Sequence, residues 1–334
     1  MLTADKLLAR GHLALDWAAS LVDDEVGFRD AGNIINGYYK SVVAFTTGGR
    51  VSEARRIANY IEKTFLVNGD INALEGDPTG PGFSNYRNAW LGRGVHVLGR
   101  YDLSRALGDF IEGQIDPLTG GLFADPHAPA EKRETCWGST GSGVLALIAM
   151  GRLAAAQRAG DYMIAMMDDQ PDAKGKLYLR RDASGKIIDK DIREGLALVY
   201  SIEMGTPGQV YWYVGMAMNA CANLYLATGD RKWIDGGYKA FEYFKNCHEE
   251  IYQIISNGKV AWGLAAMYAV TGDAQFKKHA LDAWQWHYDV QSPDGRWLRV
   301  GQIASLEEQP VHITLDTTLE RAFYMFELSR TLDI

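Results

Sequence analysis

The chain has 334 residues, of which 47% are hydrophobic and 23% are charged, so it can bury a large core and is not a disordered protein. Its net charge of -8 comes without a run of basic residues, which argues against nucleic acid and anionic membranes as partners. With 3 cysteines, no long apolar span and no secretory pattern at the N-terminus, the sequence favours a cytoplasmic protein.

Hydrophobic periodicity predicts twelve helices along the chain. Their approximate bounds are 3–22, 32–47, 51–66, 84–98, 101–114, 138–150, 152–168, 208–228, 231–249, 257–271, 274–290 and 313–331. In each successive pair the first helix is amphipathic, and the second is more apolar and richer in small residues. A helix that is hydrophobic on all sides is buried on all sides, so we expect six inner and six outer helices.

Five glycine junctions separate an apolar helix from the next amphipathic one. They are centred on Gly49, Gly99, Gly151, Gly229 and Gly272, with spacings of 50, 52, 78 and 43 residues. Glycine supplies the left-handed cap that ends one helix before the next begins, so each period is one helical hairpin. The long interval holds an insertion near 175–190, for which we predict a β-hairpin around Asp182–Gly185. We therefore expect residues 1–334 to form one domain.

Six helical hairpins in one ring, with Thr-Gly-Asp helix starts at 228–230 and 271–273, resemble the (α/α)6-barrel superfamily. That superfamily includes six-hairpin glycosidases, sugar epimerases, unsaturated uronyl hydrolases, lanthionine cyclases and α-barrel terpenoid cyclases. The resemblance covers nearly the whole chain. It implies an all-α fold with twelve helices in two concentric rings, and it constrains the reaction much less than the fold.

In barrels of this kind the ligand usually lies where the inner helices begin, and eight aromatic residues fall at those predicted starts. We assign to substrate binding Asn36, Tyr86, Trp90, Cys136, Trp137, Tyr211, Trp212, Lys259 and Trp262. Core packing explains any single aromatic residue equally well, but eight on one rim favour a pocket.

Four side chains are candidate catalytic groups: Asp316, His312, Tyr39 and Lys40. Asp316 follows His312 by four residues, so both lie on one helix face, where the carboxylate could orient the imidazole or act as a proton donor. Helix capping is the alternative explanation for Asp316.

Lys40 and Lys259 each interrupt an apolar helix near its N-terminus, where a cation opposes the helix dipole. A carboxylate such as Asp316, Asp30 or Glu134, or an anionic substrate, would compensate them. Extension of either lysine to the rim is the alternative.

We expect neither a metal nor a cofactor. Cys136 resembles the zinc segment of lanthionine cyclases and Cys247–His248 resembles their second one, but Cys247–His248 lies at the end of an outer helix and lacks the following glycine. The sequence also has no phosphate-binding loop, no dinucleotide fingerprint and no Asp-rich motif for a prenyl diphosphate.

Three functions remain possible. Two are enzymes with a small-molecule substrate, and the third is a scaffold that binds an unidentified partner. The sequence does not indicate the oligomeric state. The sequence favours a cofactor-free cyclase or isomerase that acts on an apolar terpenoid or polyketide, because aromatic walls stabilise developing positive charge. The alternative is a carbohydrate-active enzyme, namely a glycoside or unsaturated uronyl hydrolase or a sugar epimerase, in which aromatic rings stack on sugars. A non-catalytic scaffold is the third possibility.

Overall fold

The computed structural model describes residues 2–72, 83–172, 174–192, 196–299 and 303–332. In chain order its helices are α1 (Ala4–Ser20), α2 (Ser41–Thr47), α3 (Val51–Thr64), α4 (Ser84–Val97), α5 (Tyr101–Gly113), α6 (Trp137–Ala149), α7 (Leu153–Asp168), α8 (Ala197–Tyr200), α9 (Trp212–Thr228), α10 (Lys232–Lys245), α11 (Gly258–Thr271), α12 (Ala274–Asp289) and α13 (Val311–Thr331). None of the helices described is both long and apolar enough to cross a lipid bilayer.

The apolar helices form a closed inner ring. Helix α2 packs against α4, α4 against α6, α6 against α9, α9 against α11, α11 against α13, and α13 against α2. All residues from Trp137 to Leu147 in α6 and from Trp212 to Ala222 in α9 are buried, as expected for helix segments without a polar face. The predicted (α/α)6 barrel is therefore confirmed.

The amphipathic helices surround this ring. Helices α3, α5, α7, α10 and α12 each pack on the inner helix that precedes them in the chain, and α1 packs on α13. In α3 the buried residues Ala54, Ile57, Ala58 and Ile61 recur every three or four positions and face the inner ring. The contact between α1 and α13 joins the two ends of the described chain and closes the outer layer.

All five junction glycines adopt a left-handed backbone. Their φ angles lie between 68° and 84°, at Gly49, Gly99, Gly151, Gly229 and Gly272. A Cβ at any of these positions would meet no atom within 4 Å, so the backbone angle, and not a lack of space, favours glycine there. The repeat identified in the sequence thus has a direct conformational basis.

The insertion forms the predicted hairpin. Gly185 donates to the carbonyl of Asp182 in the turn, an antiparallel bridge joins Arg181 to Ile187, and backbone hydrogen bonds join Asp182 to Lys186 and Ile188 to Arg180. The short strands on its N-terminal side also pair with distant segments. The strands are β1 (Val22–Asp23), β2 (Gly27–Phe28), β3 (Thr135–Cys136), β4 (Lys176–Tyr178), β5 (Arg180–Arg181) and β6 (Ser201–Glu203).

These strands form three antiparallel pairs, which are β1 with β2, β3 with β5, and β4 with β6. The second pair fastens the insertion to the start of α6, and the third pair joins it to the segment before α9. Pairing between segments far apart in the chain is not visible in local alternation, which explains why the sequence indicated the hairpin but not its long-range partners.

Candidate active site

A cavity of about 360 Å³ opens where inner helices α4, α9 and α11 begin. The segment before α2 and the second and third turns of α13 complete its wall. The described residues that line it are Asn36, Tyr39, Lys40, Phe83, Tyr86, Arg87, Trp212, Ile255, Ser256, Lys259, Arg299, Asp316, Thr317, Glu320 and Arg321. Its volume lies at the lower end of the range for small-molecule sites, roughly 300–1,000 Å³.

Two lysines and two carboxylates meet at the base of the cavity. Lys40 Nζ lies 2.8 Å from Asp316 Oδ1 and 2.9 Å from Glu320 Oε1. Lys259 Nζ lies 2.7 Å from the same Glu320 oxygen. All of these side chains are buried except Asp316, which keeps 21% of its surface exposed. Asp316 is thus the carboxylate that a molecule in the cavity can reach.

Helix geometry explains this cluster. Asp316 and Glu320 are four residues apart in α13, so their side chains leave the same helix face one above the other. Lys40 immediately precedes α2, and Lys259 is the second residue of α11. Because α13 packs between α2 and α11 in the ring, both lysines reach its carboxylates.

Neighbouring charges set the ionisation of these groups. Burial alone would raise the pKa of Glu320, but Lys259, Lys40 and Arg321 together hold it well below its usual value. Burial likewise opposes the charge on Lys40, yet Asp316 and Glu320 raise its pKa above the usual value. Glu320 is therefore an ionised carboxylate and Lys40 a permanent cation at neutral pH.

Lys259 behaves differently from Lys40. Burial lowers its pKa to about 8, and the positive charges of Lys40 and Arg321 contribute to the same effect, which Glu320 only partly offsets. Its ammonium also lies 5.1 Å from the centre of the Trp212 ring. Lys259 is consequently the cation of the cluster whose charge changes close to neutral pH.

Two phenols stand between the carboxylates and the aromatic wall. Burial, reinforced by nearby carboxylates, raises the pKa values of Tyr39 and Tyr86 well above the usual value, so both remain protonated donors. The Tyr86 hydroxyl donates to Glu320 Oε1 at 3.4 Å, and the charges of Asp316 and Glu320 add to the effect of burial on the pKa of Tyr39. The wall continues from Tyr86 to Trp212, whose ring centroids are 5.8 Å apart.

Arginine side chains form the rest of the polar lining. The Arg87 Nε donates to Asn36 Oδ1 at 3.0 Å, which fixes its guanidinium beside the cavity. Arg321 is only 2% exposed, and its Nη1 donates to the carbonyl of Thr317 at 2.7 Å. Arg299, on the segment between α12 and α13, also lines the cavity.

The structure brings seven of the thirteen candidate site residues to the cavity. They are Asn36, Tyr39, Lys40, Tyr86, Trp212, Lys259 and Asp316. Asp316 is also one of the three carboxylates that the sequence offered as a partner for Lys40. The roles of these residues belong to the proposal below.

The other six candidates lie outside the described cavity lining. Trp90 and Trp262 border a separate void of about 10 Å³ inside the barrel and pack with their ring centroids 5.8 Å apart. Cys136 and Trp137 are fully buried where α6 begins, behind the pairing of β3 with β5. These four residues are packed in the barrel interior, in agreement with the core-packing alternative to substrate binding.

The remaining two candidates, Tyr211 and His312, contact other parts of the protein and do not line the described cavity. The Tyr211 hydroxyl donates to backbone carbonyls of Glu203 and Thr206, so it anchors the loop before α9. His312 lies in the first turn of α13 beside Gly37, and burial lowers the pKa of its imidazole, an effect that Asp316 partly offsets.

Several lining residues were missed by the sequence reasoning. The charged ones are Arg87, Arg299, Glu320 and Arg321. Glu320 extends the four-residue spacing of His312 and Asp316 by one more helical turn, so the signal for it was present. Arg299 lies in a loop far from any helix start, and only the folded chain brings it to the cavity.

Comparison with solved structures yields carbohydrate enzymes that share this fold. A D-mannose isomerase superposes with a TM-score of 0.69 at 12% identity, with 96% of each chain covered. The GH76A α-1,6-mannanase from Salegentibacter sp. HEL1_6 gives a TM-score of 0.67 at 11% identity, covering 98% of this chain and 99% of the mannanase. A sugar epimerase from a ruminal bacterium gives 0.66 at 12% identity, with 96% and 97% covered. No protein-family model and no curated protein matches the sequence.

The prediction of a terpenoid or polyketide cyclase is wrong. The structural neighbours are mannanases, a mannose isomerase and a sugar epimerase. The cavity agrees with this correction, because charged lysine, arginine and carboxylate side chains line much of it. Cations next to a developing carbocation would oppose it, whereas they suit a polar substrate. The cyclase prediction relied on the eight aromatic residues at the predicted starts of the inner helices, and most of these residues pack in the core.

Proposed function

We propose that this chain is a carbohydrate-active enzyme that isomerises or epimerises a sugar by proton transfer. The observation that carries the proposal is the arrangement of Asp316 and Glu320 on one face of α13, with both bound to Lys40 inside the cavity. The fold shared with a mannose isomerase and a sugar epimerase supports the substrate class. An aromatic wall of Tyr86 and Trp212 supplies a surface on which a sugar ring can stack.

The same arrangement disfavours glycoside hydrolysis. A hydrolase needs one carboxylic acid that protonates the leaving oxygen and a second carboxylate that attacks or activates water, and the two flank the scissile bond. Here both carboxylates approach from one helix, and the pKa of Glu320 is depressed instead of raised. An inactive variant of the Salegentibacter mannanase has two consecutive aspartates replaced. No two consecutive carboxylates occur among the described residues lining this cavity.

Asp316, Lys40 and Lys259 provide the groups that a proton transfer requires. Asp316 is the carboxylate accessible from the cavity, so we assign it as the base that removes a proton from the carbon next to the sugar carbonyl. The resulting enediolate carries negative charge on oxygen, which the ammonium groups of Lys40 and Lys259 would stabilise. Return of the proton to the neighbouring carbon, while the hydroxyl proton passes from one enediolate oxygen to the other, gives a ketose. If the enediolate first turns its other face towards Asp316, return of the proton to the original carbon gives an epimer.

The test is proton exchange in heavy water. The purified protein is incubated with D-mannose, D-glucose and D-fructose in D2O, and carbon-bound deuterium and new sugars are followed by NMR. We expect interconversion accompanied by deuterium uptake, and a loss of about 100-fold or more in Asp316→Asn. Asp289→Asn, on the exposed face of α12, is the matched control. Release of reducing ends from α-1,6-mannan oligosaccharides without deuterium uptake would instead establish a hydrolase.

A further inference from the structure

Among the described residues that line the cavity, cationic side chains outnumber carboxylates. Four cationic side chains line it in addition to Arg87, and they are Lys40, Lys259, Arg299 and Arg321. Two carboxylates, Asp316 and Glu320, face them within the described residues. Both carboxylates contact Lys40, and one oxygen of Glu320 serves both lysines. Neither Arg299 nor Arg321 therefore forms a hydrogen bond with a carboxylate among the described residues.

The surroundings of these arginines support this conclusion. For Arg321 the nearest carboxylate oxygen described is Glu320 Oε2 at 3.7 Å, too long for a hydrogen bond. Its buried Nε has no hydrogen-bond partner within the described part of the chain. Burial lowers the pKa of Arg321 and the nearby charge of Arg299 lowers it further, although Glu320 acts in the opposite direction. For Arg299, no ion pair is formed with any residue that the structure describes.

A buried donor without an acceptor costs free energy, and so do like charges that face one another in a partly dry site. This excess is local, because the chain as a whole carries a net charge of -8. A ligand with a negative group would supply the missing acceptor and relieve the repulsion. A neutral sugar supplies acceptors but no charge.

We propose that the substrate is an anionic monosaccharide whose acid group, a carboxylate or a phosphate monoester, is bound by Arg299 and Arg321. This inference rests on the proposed function and narrows its substrate class. With the acid group at the arginines, the open-chain form of the sugar extends past Trp212, and its carbonyl end faces Asp316 and the lysines. The planar guanidinium groups suit either acid, because each can donate two parallel hydrogen bonds to its oxygens.

Paired ligands test this proposal. Binding of D-mannose and D-glucose to the intact protein is compared by calorimetry with binding of their uronates and their 6-phosphates, at low and high salt. We expect the better acidic sugar to bind at least about tenfold tighter than its neutral parent, and the preference to shrink as salt increases. Whether the uronate or the 6-phosphate binds better identifies the acid group.

Variants assign the preference to the arginines. In Arg299→Gln we expect the ratio of acidic to neutral affinity to fall to about 1–3. Arg296→Gln, on the same segment but paired with Asp294 and absent from the lining, should keep the full ratio. Arg321→Lys keeps a charge but removes the planar donors, and it should weaken the acidic sugar selectively if the variant remains folded.

The outcomes separate this inference from the proposed function. Neutral sugars that bind and exchange protons, with no preference for the acidic forms, would overturn the anionic substrate and leave the isomerase standing. A preference that survives in Arg299→Gln would also overturn it. If neither kind of sugar binds and inorganic phosphate alone does, both proposals fail.

Discussion

Lys40 Nζ contacts Asp316 Oδ1 at 2.8 Å, and this ion pair joins the first inner helix of the ring to the last. The same nitrogen contacts Glu320, so one ammonium compensates two carboxylates from a single helix face. The charge of Lys40, together with those of Lys259 and Arg321, holds the pKa of Glu320 below its usual value despite burial. Lys40 therefore has two roles, since it links the start of α2 to α13 and helps to keep Glu320 ionised.

Removal of Lys40 should be strongly destabilising. In Lys40→Met the buried Glu320 and the partly exposed Asp316 lose their shared cation, which we expect to lower the free energy of unfolding by about 3–5 kcal/mol. Urea unfolding measured by circular dichroism checks this value. In the double variant Lys40→Met/Glu320→Gln the repulsion is removed, so part of the loss should be recovered. An equal or greater loss in the double variant would show that the repulsion is unimportant.

Glu320 should give the protein a steep dependence of stability on pH in acid. Its pKa is lower in the folded state than its ordinary value of 4.5, so the unfolded state takes up the proton first. The stabilisation is fully present above about pH 4.5 and is lost as the pH falls below it. Urea unfolding between pH 7 and pH 3 should show this loss. Glu320→Gln should be less stable at pH 7 but should show a shallower acid decline, and identical slopes would contradict the assignment.

Much of the fold was predictable from the sequence, and less of the site. The junction glycines and the apolar helices are local signals, so the ring of six hairpins followed from them. Lys40 and Asp316 were also recognisable, because a charge inside an apolar helix start requires a partner. By contrast, Trp137 and Trp262 have the same local pattern as Trp212 but are core residues. Whether such a tryptophan lines the cavity or packs in the core depends on how the whole ring is assembled, and no local sequence pattern contains that information.

Catalysis should decline above about pH 8 because Lys259 loses its proton there. Its pKa is lowered to about 8, so its positive charge is present below that pH and disappears as the pH rises through it. We expect kcat/KM for the proposed sugar substrate to fall about tenfold per pH unit above this value. In Lys259→Arg the decline should move to higher pH, because a guanidinium keeps its charge. An unchanged alkaline limb in Lys259→Arg would assign it to another group.

The aromatic wall should contribute to binding more than to the chemical step. The Trp212 ring stacks on the Tyr213 ring with a centroid distance of 3.8 Å, and Trp212 also lines the cavity. In Trp212→Ala we expect KM to rise about tenfold with a smaller change in kcat, since stacking acts on substrate and transition state alike. Trp212→Phe should restore part of the affinity. A loss confined to kcat would instead place Trp212 in the chemical step.

The position of Lys259 depends on a close approach of two inner helices. A Cβ on Gly215 of α9 would overlap the backbone carbonyl of Lys259 in α11, and a Cβ on Gly263 would overlap the carbonyl of Gly215 in return. In Gly215→Ala the helices must separate, so we expect a loss of roughly 1–3 kcal/mol in the free energy of unfolding, although alanine favours helix formation. Gly113→Ala is the matched control, because that glycine is exposed at the end of α5 with no atom within 4 Å of the new methyl group. Urea unfolding should therefore show Gly113→Ala to be neutral or slightly stabilising, and equal effects of the two substitutions would refute the close contact between α9 and α11.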